Sequence, residues 1–189
     1  MSTEKSKAQD VVSAGLMTFP KSGDSACAGG VYTVTCVGPD GVEKWSDTFH
    51  NLVVNEGLQD MNSKYFKGSG YTAVWYLGLV TGPGSGTTFA AADTLASHAG
   101  WTENTDYTGS RKTVTFGTAT TADPSVISNS ASPSAFSITG TATIAGAFLA
   151  STTDNSGVLF SAGDFTGGDK SVASGDTLNV TYQFSLDAA

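Results

Sequence analysis

The stretch that decides the fold lies near the end of the chain: Ser174-Gly-Asp-Thr-Leu-Asn-Val-Thr-Tyr-Gln-Phe-Ser-Leu186. Its first residues, Gly175-Asp176, are suited to a turn. After the turn, an apolar side chain recurs at every second position, at Leu178, Val180, Tyr182, Phe184 and Leu186. The residues between them are polar, so the stretch has one apolar face at period two. This pattern predicts a half-buried β-strand.

Similar short segments, separated by Gly, Ser, Thr and Asn, fill the chain before this strand. Strands are predicted at residues 31–37, 42–54, 72–80, 111–118, 135–144 and 158–160. The nearly continuous apolar run at 72–80 predicts a central, fully buried strand. Seven to nine short strands at this spacing are typical of a sandwich. We therefore expect an all-β fold, an antiparallel β-sandwich (jelly-roll-like) with one short helix and an extended N-terminal arm.

The single helix is predicted at residues 55–66. Asn55 is suited to cap it, and apolar residues recur at helical spacing at Leu58, Met61 and Tyr65. Gly57 lowers the intrinsic helix propensity of this segment.

Residues 1–30 are predicted to form the extended arm, and residues 31–189 the β-sandwich domain. Phe19-Pro20 favours extended backbone, and Gly29-Gly30 suggests a break in regular structure. Ordering such an arm costs about 1–2 kcal/mol per residue. Its apolar set nevertheless suggests that it binds a partner protein or a neighbouring copy once assembled, with Leu16, Met17 and Phe19 as partner-binding anchors.

Composition limits the class of partner. Nine Lys and Arg residues against seventeen Asp and Glu residues give a net charge of −8. Phosphate binding needs clustered cations, so we expect no nucleic-acid partner. The one basic pair, Arg111-Lys112, is interpreted as an exposed strand edge kept soluble by its charges. No run approaches the roughly 20 apolar residues of a membrane span and no signal-peptide pattern is present, so we expect no membrane partner.

The two cysteines, Cys27 and Cys36, are too few for a disulfide scaffold. Free thiols are the favoured interpretation. A bridge stays open, because Cys36 is predicted in a strand and Cys27 in the loop before it.

Residue types that carry chemistry are sparse. The Gly-rich segment at 82–88 lacks the lysine of a phosphate loop. His50 and His98 lack a nucleophile-elbow partner and are interpreted as structural. Four aspartates in turns leave a calcium site as the weaker alternative to ordinary turn formation: Asp154, Asp164, Asp169 and Asp176. We expect no enzyme, no cofactor and no metal.

Of the three tryptophans, Trp75 lies in an apolar run and is expected in the core. Trp101 follows Gly100 and precedes Thr-Glu-Asn-Thr, a setting compatible with exposure. It is therefore a candidate partner-binding residue, and it leaves a sugar-stacking function open.

The order of several segments resembles a family of tailed-bacteriophage virion proteins. The resemblance covers roughly residues 31–186, and the arm lies outside it. The matching pieces are Phe49-His-Asn-Leu-Val-Val-Asn-Glu-Gly-Leu58, Trp75-Tyr-Leu-Gly-Leu79, residues 91–103, Tyr107 with Arg111, Ile144-Ala-Gly-Ala-Phe-Leu149, Gly157-Val-Leu-Phe160 and Gly175-Asp-Thr-Leu-Asn-Val-Thr-Tyr182.

The resemblance implies a capsid cement (decoration) protein on the outer surface of the head, where it would bridge major capsid protein subunits. The implied partners are that capsid protein and further copies of this chain, as a trimer or dimer. The implied location is the virion, after assembly in the host cytoplasm. A tail, fibre or receptor-binding protein is the alternative.

Overall fold

The computed structural model describes residues 26–71, 73–82 and 87–188. Within these ranges the strands are β1 Ala26–Val37, β2 Glu43–His50, β3 Leu52–Val53, β4 Trp75–Thr81, β5 Glu103–Asn104, β6 Lys112–Val114, β7 Ser125–Ser128, β8 Ser134–Ser137, β9 Ala142–Ala150, β10 Leu159–Asp164, β11 Lys170–Val172 and β12 Thr177–Ala188. One helix, α1, spans Asn55–Tyr65.

The strands form two antiparallel sheets, as the period-two patterning predicts. The first sheet has the order β2-β1-β12-β7, with β8 also paired to β12. The second has the order β3-β10-β9-β4-β5, with β11 paired to β9 and β6 paired to β4. The apolar run at 72–80 supplies β4, which lies inside the second sheet beside β9. The predicted all-β sandwich with one helix is confirmed.

The core of the first sheet comes from the two longest strands. β1 and β12 pair over their whole length, with Val34 opposite Val180 and Tyr32 opposite Tyr182. These four side chains are fully buried. Because successive residues point to opposite faces, the same register places polar residues such as Thr33 and Thr35 on the outer face.

Buried hydroxyl groups tie the two sheets together. The Tyr32 hydroxyl lies 2.8 Å from Ser161 Oγ on β10, and Asn51 Nδ2 donates to the Tyr182 hydroxyl at 3.0 Å. Burial raises the pKa of Tyr32 and of Tyr182 above the usual tyrosine value, so both stay neutral in the folded protein.

The expected break at Gly29-Gly30 is wrong, since β1 begins at Ala26 and both glycines lie inside it. A Cβ at Gly30 would lie 2.6 Å from the Tyr182 hydroxyl and 2.9 Å from Asn51 Nδ2. The glycine is therefore a close-packing position within a strand. Residues 26–30, expected in the arm, belong to the first sheet.

Three other segments differ from their predictions. The expected strand 135–144 divides into β8 and β9, because the chain crosses between the sheets after Ser137. The expected strand 111–118 is reduced to β6. Asp93 or Thr94 is suited to cap one helical turn at residues 93–99, but this segment instead contains a turn closed by a bridge between Thr94 and Ser97.

A candidate docking face beside helix α1

Helix α1 is held to the sandwich by its first turn. The predicted cap is wrong: Asn55 is the first helical residue, Val54 precedes it, and no side chain caps the helix. Instead, Glu56 Oε2 accepts the backbone N–H of Leu159 at 2.8 Å and that of Leu95 at 3.3 Å. This carboxylate therefore connects the helix to β10 and to the turn at residue 95.

Gly57 permits the close approach of α1 to β10. It is the buried residue of the helix, and a Cβ built on it would lie 2.5 Å from the Phe160 carbonyl oxygen. The face of α1 that contacts the sandwich is thus centred on a glycine. Of the periodic apolar residues, Met61 packs against the core, whereas Leu58 and Tyr65 are exposed.

The end of α1 presents two aromatic rings to solvent. Tyr65 is 83% exposed and the next residue, Phe66, is 80% exposed. Their rings pack edge to face with centroids 4.9 Å apart. Three more apolar side chains nearby are partly exposed: Leu58, Tyr71 and Leu186. We call this set of five residues the docking face.

A groove with two lobes runs from the docking face into the sandwich. The outer lobe has a volume of about 650 Å³ and lies between α1 and the ends of β1 and β12, with Ala26, Ala28, Leu58, Phe66 and Leu186 in its walls. The inner lobe has a volume of about 540 Å³ and opens between the sheets, with Val114, Phe116, Ile127, Phe160 and Phe184 in its walls. Met61, Tyr71 and Trp75 line both lobes.

The positive charge of Lys64, beside the groove, is compensated by neighbouring groups. Lys64 Nζ lies 3.9 Å from Asp60 Oδ1, donates to the Gly70 carbonyl oxygen at 2.8 Å and stands 5.6 Å above the Tyr71 ring. With its cation engaged in this way, the groove offers mainly apolar and aromatic contacts. Such a surface fits an apolar segment of protein.

Trp101 does not belong to this surface. It is only 5% exposed, and its indole Nε1 donates to Asp93 Oδ2 at 3.1 Å. Its ring stacks on His98 at 3.8 Å and packs on Phe148 at 5.1 Å. The expectation that Trp101 is exposed for a partner or a sugar is therefore wrong, because its face is used in a buried cluster.

The other predicted anchors, Leu16, Met17 and Phe19, lie outside the described residues. Their role in partner binding stays a prediction. The Gly-rich segment at 82–88 is described only in part.

Arg111 is a buried residue that the sequence interpretation missed. It is 5% exposed, and Nε and Nη2 donate to the two carboxylate oxygens of Glu103 at 2.9 and 2.7 Å. Nη1 donates to the carbonyl oxygens of Thr152 and Asp154, and Nη2 also donates to Asn155 Oδ1. The guanidinium thus fastens the 152–155 loop to β5, and the predicted exposed strand edge is wrong here.

The remaining titratable residues have structural surroundings. His50 is exposed at the end of β2, and His98 packs on Trp101. Both cysteines are free, and β1 places them nine residues apart, about 30 Å along one strand, so they cannot bridge. Burial and the nearby Asp176 carboxylate raise the pKa of the Cys36 thiol to about 11.

Neither a metal-binding cluster nor a membrane-spanning helix is found within the described ranges. No group of three or more His, Cys, Asp or Glu side chains in these ranges could hold a metal ion. No helix among the described residues has the length and apolarity needed to cross a bilayer.

Comparisons with protein families, with curated proteins and with solved structures found no match for this chain.

Proposed function

We propose that this protein is a bacteriophage capsid cement protein that binds the outer surface of the head through the docking face. The observation that carries the proposal is the exposed aromatic pair, Tyr65 and Phe66, on a helix whose other end is fixed to a rigid sandwich. Aromatic residues are enriched at protein interfaces, and contiguous exposed apolar side chains mark such sites.

The proposed partner is the major capsid protein, with one copy bridging neighbouring subunits. The net charge of −8 suits the outside of a shell, away from packaged DNA. The protein acts by binding, without catalysis or a cofactor, and without nucleic-acid or membrane partners. It assembles onto the virion in the host cytoplasm.

Self-association on the shell, as a trimer or dimer, forms part of the proposal. Low charge and scattered aromatics are the features that favour contact between copies. Structure determination of decorated particles tests this point, and well-separated copies without mutual contact would refute it.

The alternative is a tail, fibre or receptor-binding protein. Sugar stacking needs an exposed aromatic face, and the burial of Trp101 removes the tryptophan that sequence analysis offered for it. This observation removes the support that Trp101 gave to glycan binding.

Fractionation of purified particles separates the two functions. Heads and tails are isolated and the copy number of this protein is measured by quantitative mass spectrometry. The cement function predicts many copies in the head fraction. Recovery in tails alone would exclude it.

A further inference from the structure

The apolar face of the first sheet extends past the core. Ala28 on β1 is opposite Leu186 on β12, in the same register that places Tyr32 opposite Tyr182. Both residues line the outer lobe, and Leu186 is 38% exposed. The period-two pattern of β12 thus continues into the groove, where Leu186 forms part of the floor and no described residue covers it fully.

The N-terminal segment enters the fold at this groove. β1 begins at Ala26, which lines the outer lobe. The residues just before it, Pro20-Lys-Ser-Gly-Asp-Ser25, are turn formers that allow the chain to reverse direction. Six residues reach about 20 Å when extended, so residues ahead of Pro20 can return over the groove.

We propose that the groove binds residues 11–20 of its own chain. This segment holds the apolar residues of the N-terminal region, Val11, Val12, Leu16, Met17 and Phe19. Because six residues separate Phe19 from Ala26, Phe19 would reach the outer lobe first. The anchors predicted to bind a capsid subunit or a neighbouring copy would thus have a binding site in the same molecule.

The same chain is favoured over a second copy because of the short connection. A short flexible linker gives its segment an effective concentration of about millimolar at the adjacent site. A second copy reaches that concentration only in dense assemblies. All five residues of the docking face line the outer lobe, so the segment and a capsid subunit are alternative occupants of it, and capsid binding would displace the segment. The inference itself does not depend on the cement function, because it concerns the isolated protein.

Photocrosslinking identifies the occupant directly. Full-length protein carries a benzophenone amino acid in place of Phe19, and crosslinked peptides are mapped after irradiation at low micromolar concentration. The expected product is a monomer crosslinked within residues 55–71 or 183–188. The matched control has the probe at the exposed Val42, at the other end of β1, and we expect no crosslink to those ranges.

Two results would overturn the proposal. Crosslinks to the groove that appear only in dimers would assign it to a second copy. An absence of crosslinks to either range would show that the segment binds elsewhere.

Dye binding gives a second, independent measurement. Deleting residues 2–20 removes none of the described residues, and circular dichroism checks that the deletion variant keeps its β structure. We expect the fluorescence of an apolar dye such as ANS to rise several-fold in the deletion variant, and a synthetic peptide of residues 9–21 to reverse the rise. Equal dye binding by the full-length and deletion proteins would contradict the proposal and would indicate an open groove for small apolar ligands.

Discussion

At the residue scale, Arg111 makes more hydrogen bonds than its neighbours in the sequence would predict. Truncating it in Arg111→Ala removes the guanidinium from the Glu103 carboxylate and the donor from the Thr152 carbonyl oxygen, whereas the Asp154 carbonyl oxygen still accepts from Thr152 Oγ1. Breaking a buried pair costs about 3–5 kcal/mol, and the partial exposure of Glu103 places the expected loss at the lower end. Urea denaturation measures the loss of unfolding free energy.

Lys112→Ala is the matched control, since it removes the neighbouring cation. Lys112 stands 5.3 Å from the Tyr107 ring, a contact worth about 1 kcal/mol or less. Equal losses in the two variants would show that the Arg111 contacts add nothing specific. Arg111→Lys should recover only part of the loss, because lysine lacks the planar fork.

Replacing Gly57 by alanine is a second test, because helix propensity predicts a gain in stability and packing predicts a loss. Alanine is favoured over glycine in a helix by about 1 kcal/mol. Its Cβ would nevertheless lie 2.5 Å from the Phe160 carbonyl oxygen and 2.9 Å from the Phe160 Cα. Overpacking costs about 1–3 kcal/mol, so we expect Gly57→Ala to lower the urea midpoint.

Ser63→Ala on the same helix is the control for propensity, and we expect it to leave the midpoint unchanged or slightly raised. A Gly57→Ala variant that is as stable as the parent would mean that α1 is not held closely against β10.

The buried tyrosines predict a loss of stability at high pH. Burial raises the pKa of Tyr32 and Tyr182 in the folded state, whereas both titrate near 10 when unfolded. Their contribution is fully present below about pH 10 and is lost as pH rises toward the folded pKa. Urea midpoints measured from about pH 8 to about pH 11 should therefore fall, together with the appearance of tyrosinate absorbance.

Tyr182→Phe removes one of these titrating groups. It also loses the hydrogen bond from Asn51, so it is less stable at neutral pH. Its midpoint should nevertheless fall less steeply above about pH 9. Identical slopes for the variant and the parent would contradict the assignment.

Residues on the regular strands were predictable because their burial follows local alternation, as with Leu178, Val180 and Tyr182. Arg111 and Trp101 were not predictable for a common reason. Their partners lie up to 44 residues away for the arginine and 47 for the tryptophan, whose ring packs on Phe148. Neighbouring residue types cannot show that such partners meet.

At the element scale, the sequence predicts where helix α1 forms but not which of its faces packs on the sandwich. The sequence located the helix within one residue of its observed bounds, but the periodic apolar residues do not mark the face that packs on β10, which is centred on Gly57. The helix packs through Gly57 because β10 passes so close that only a glycine fits. Glycine has no side chain, so a packing face centred on Gly57 adds nothing to the apolar pattern of the helix. The apolar periodicity therefore does not identify this face.

If the exposed end of α1 serves binding, removing its aromatic rings should not weaken the fold. We expect Tyr65→Ser with Phe66→Ser to change the unfolding free energy by about 0.5 kcal/mol or less, because both side chains are at least 80% exposed. Thermal denaturation followed by circular dichroism measures this. A drop of several kcal/mol would mean that the two rings stabilise the fold, against the structure described.

At the scale of the whole molecule, alternation specified a sandwich but not its strand order. β1 and β12 are paired although Ala26 and Ala188 lie at opposite ends of the described chain. The short strands β5 and β7 were missed because two to four largely polar residues carry no clear period. The groove was missed as well, since it forms only where α1 meets the ends of the two sheets.

The proposal that the docking face binds the major capsid protein is tested most directly by co-sedimentation of the purified protein with shells assembled from that protein. We expect the parent protein to bind, and we expect Tyr65→Ser with Phe66→Ser to weaken binding about tenfold or more. Val42→Ser, which alters an exposed apolar residue at the other end of β1, should bind like the parent. Failure of the parent to bind, or equal binding by the double variant, would contradict the account.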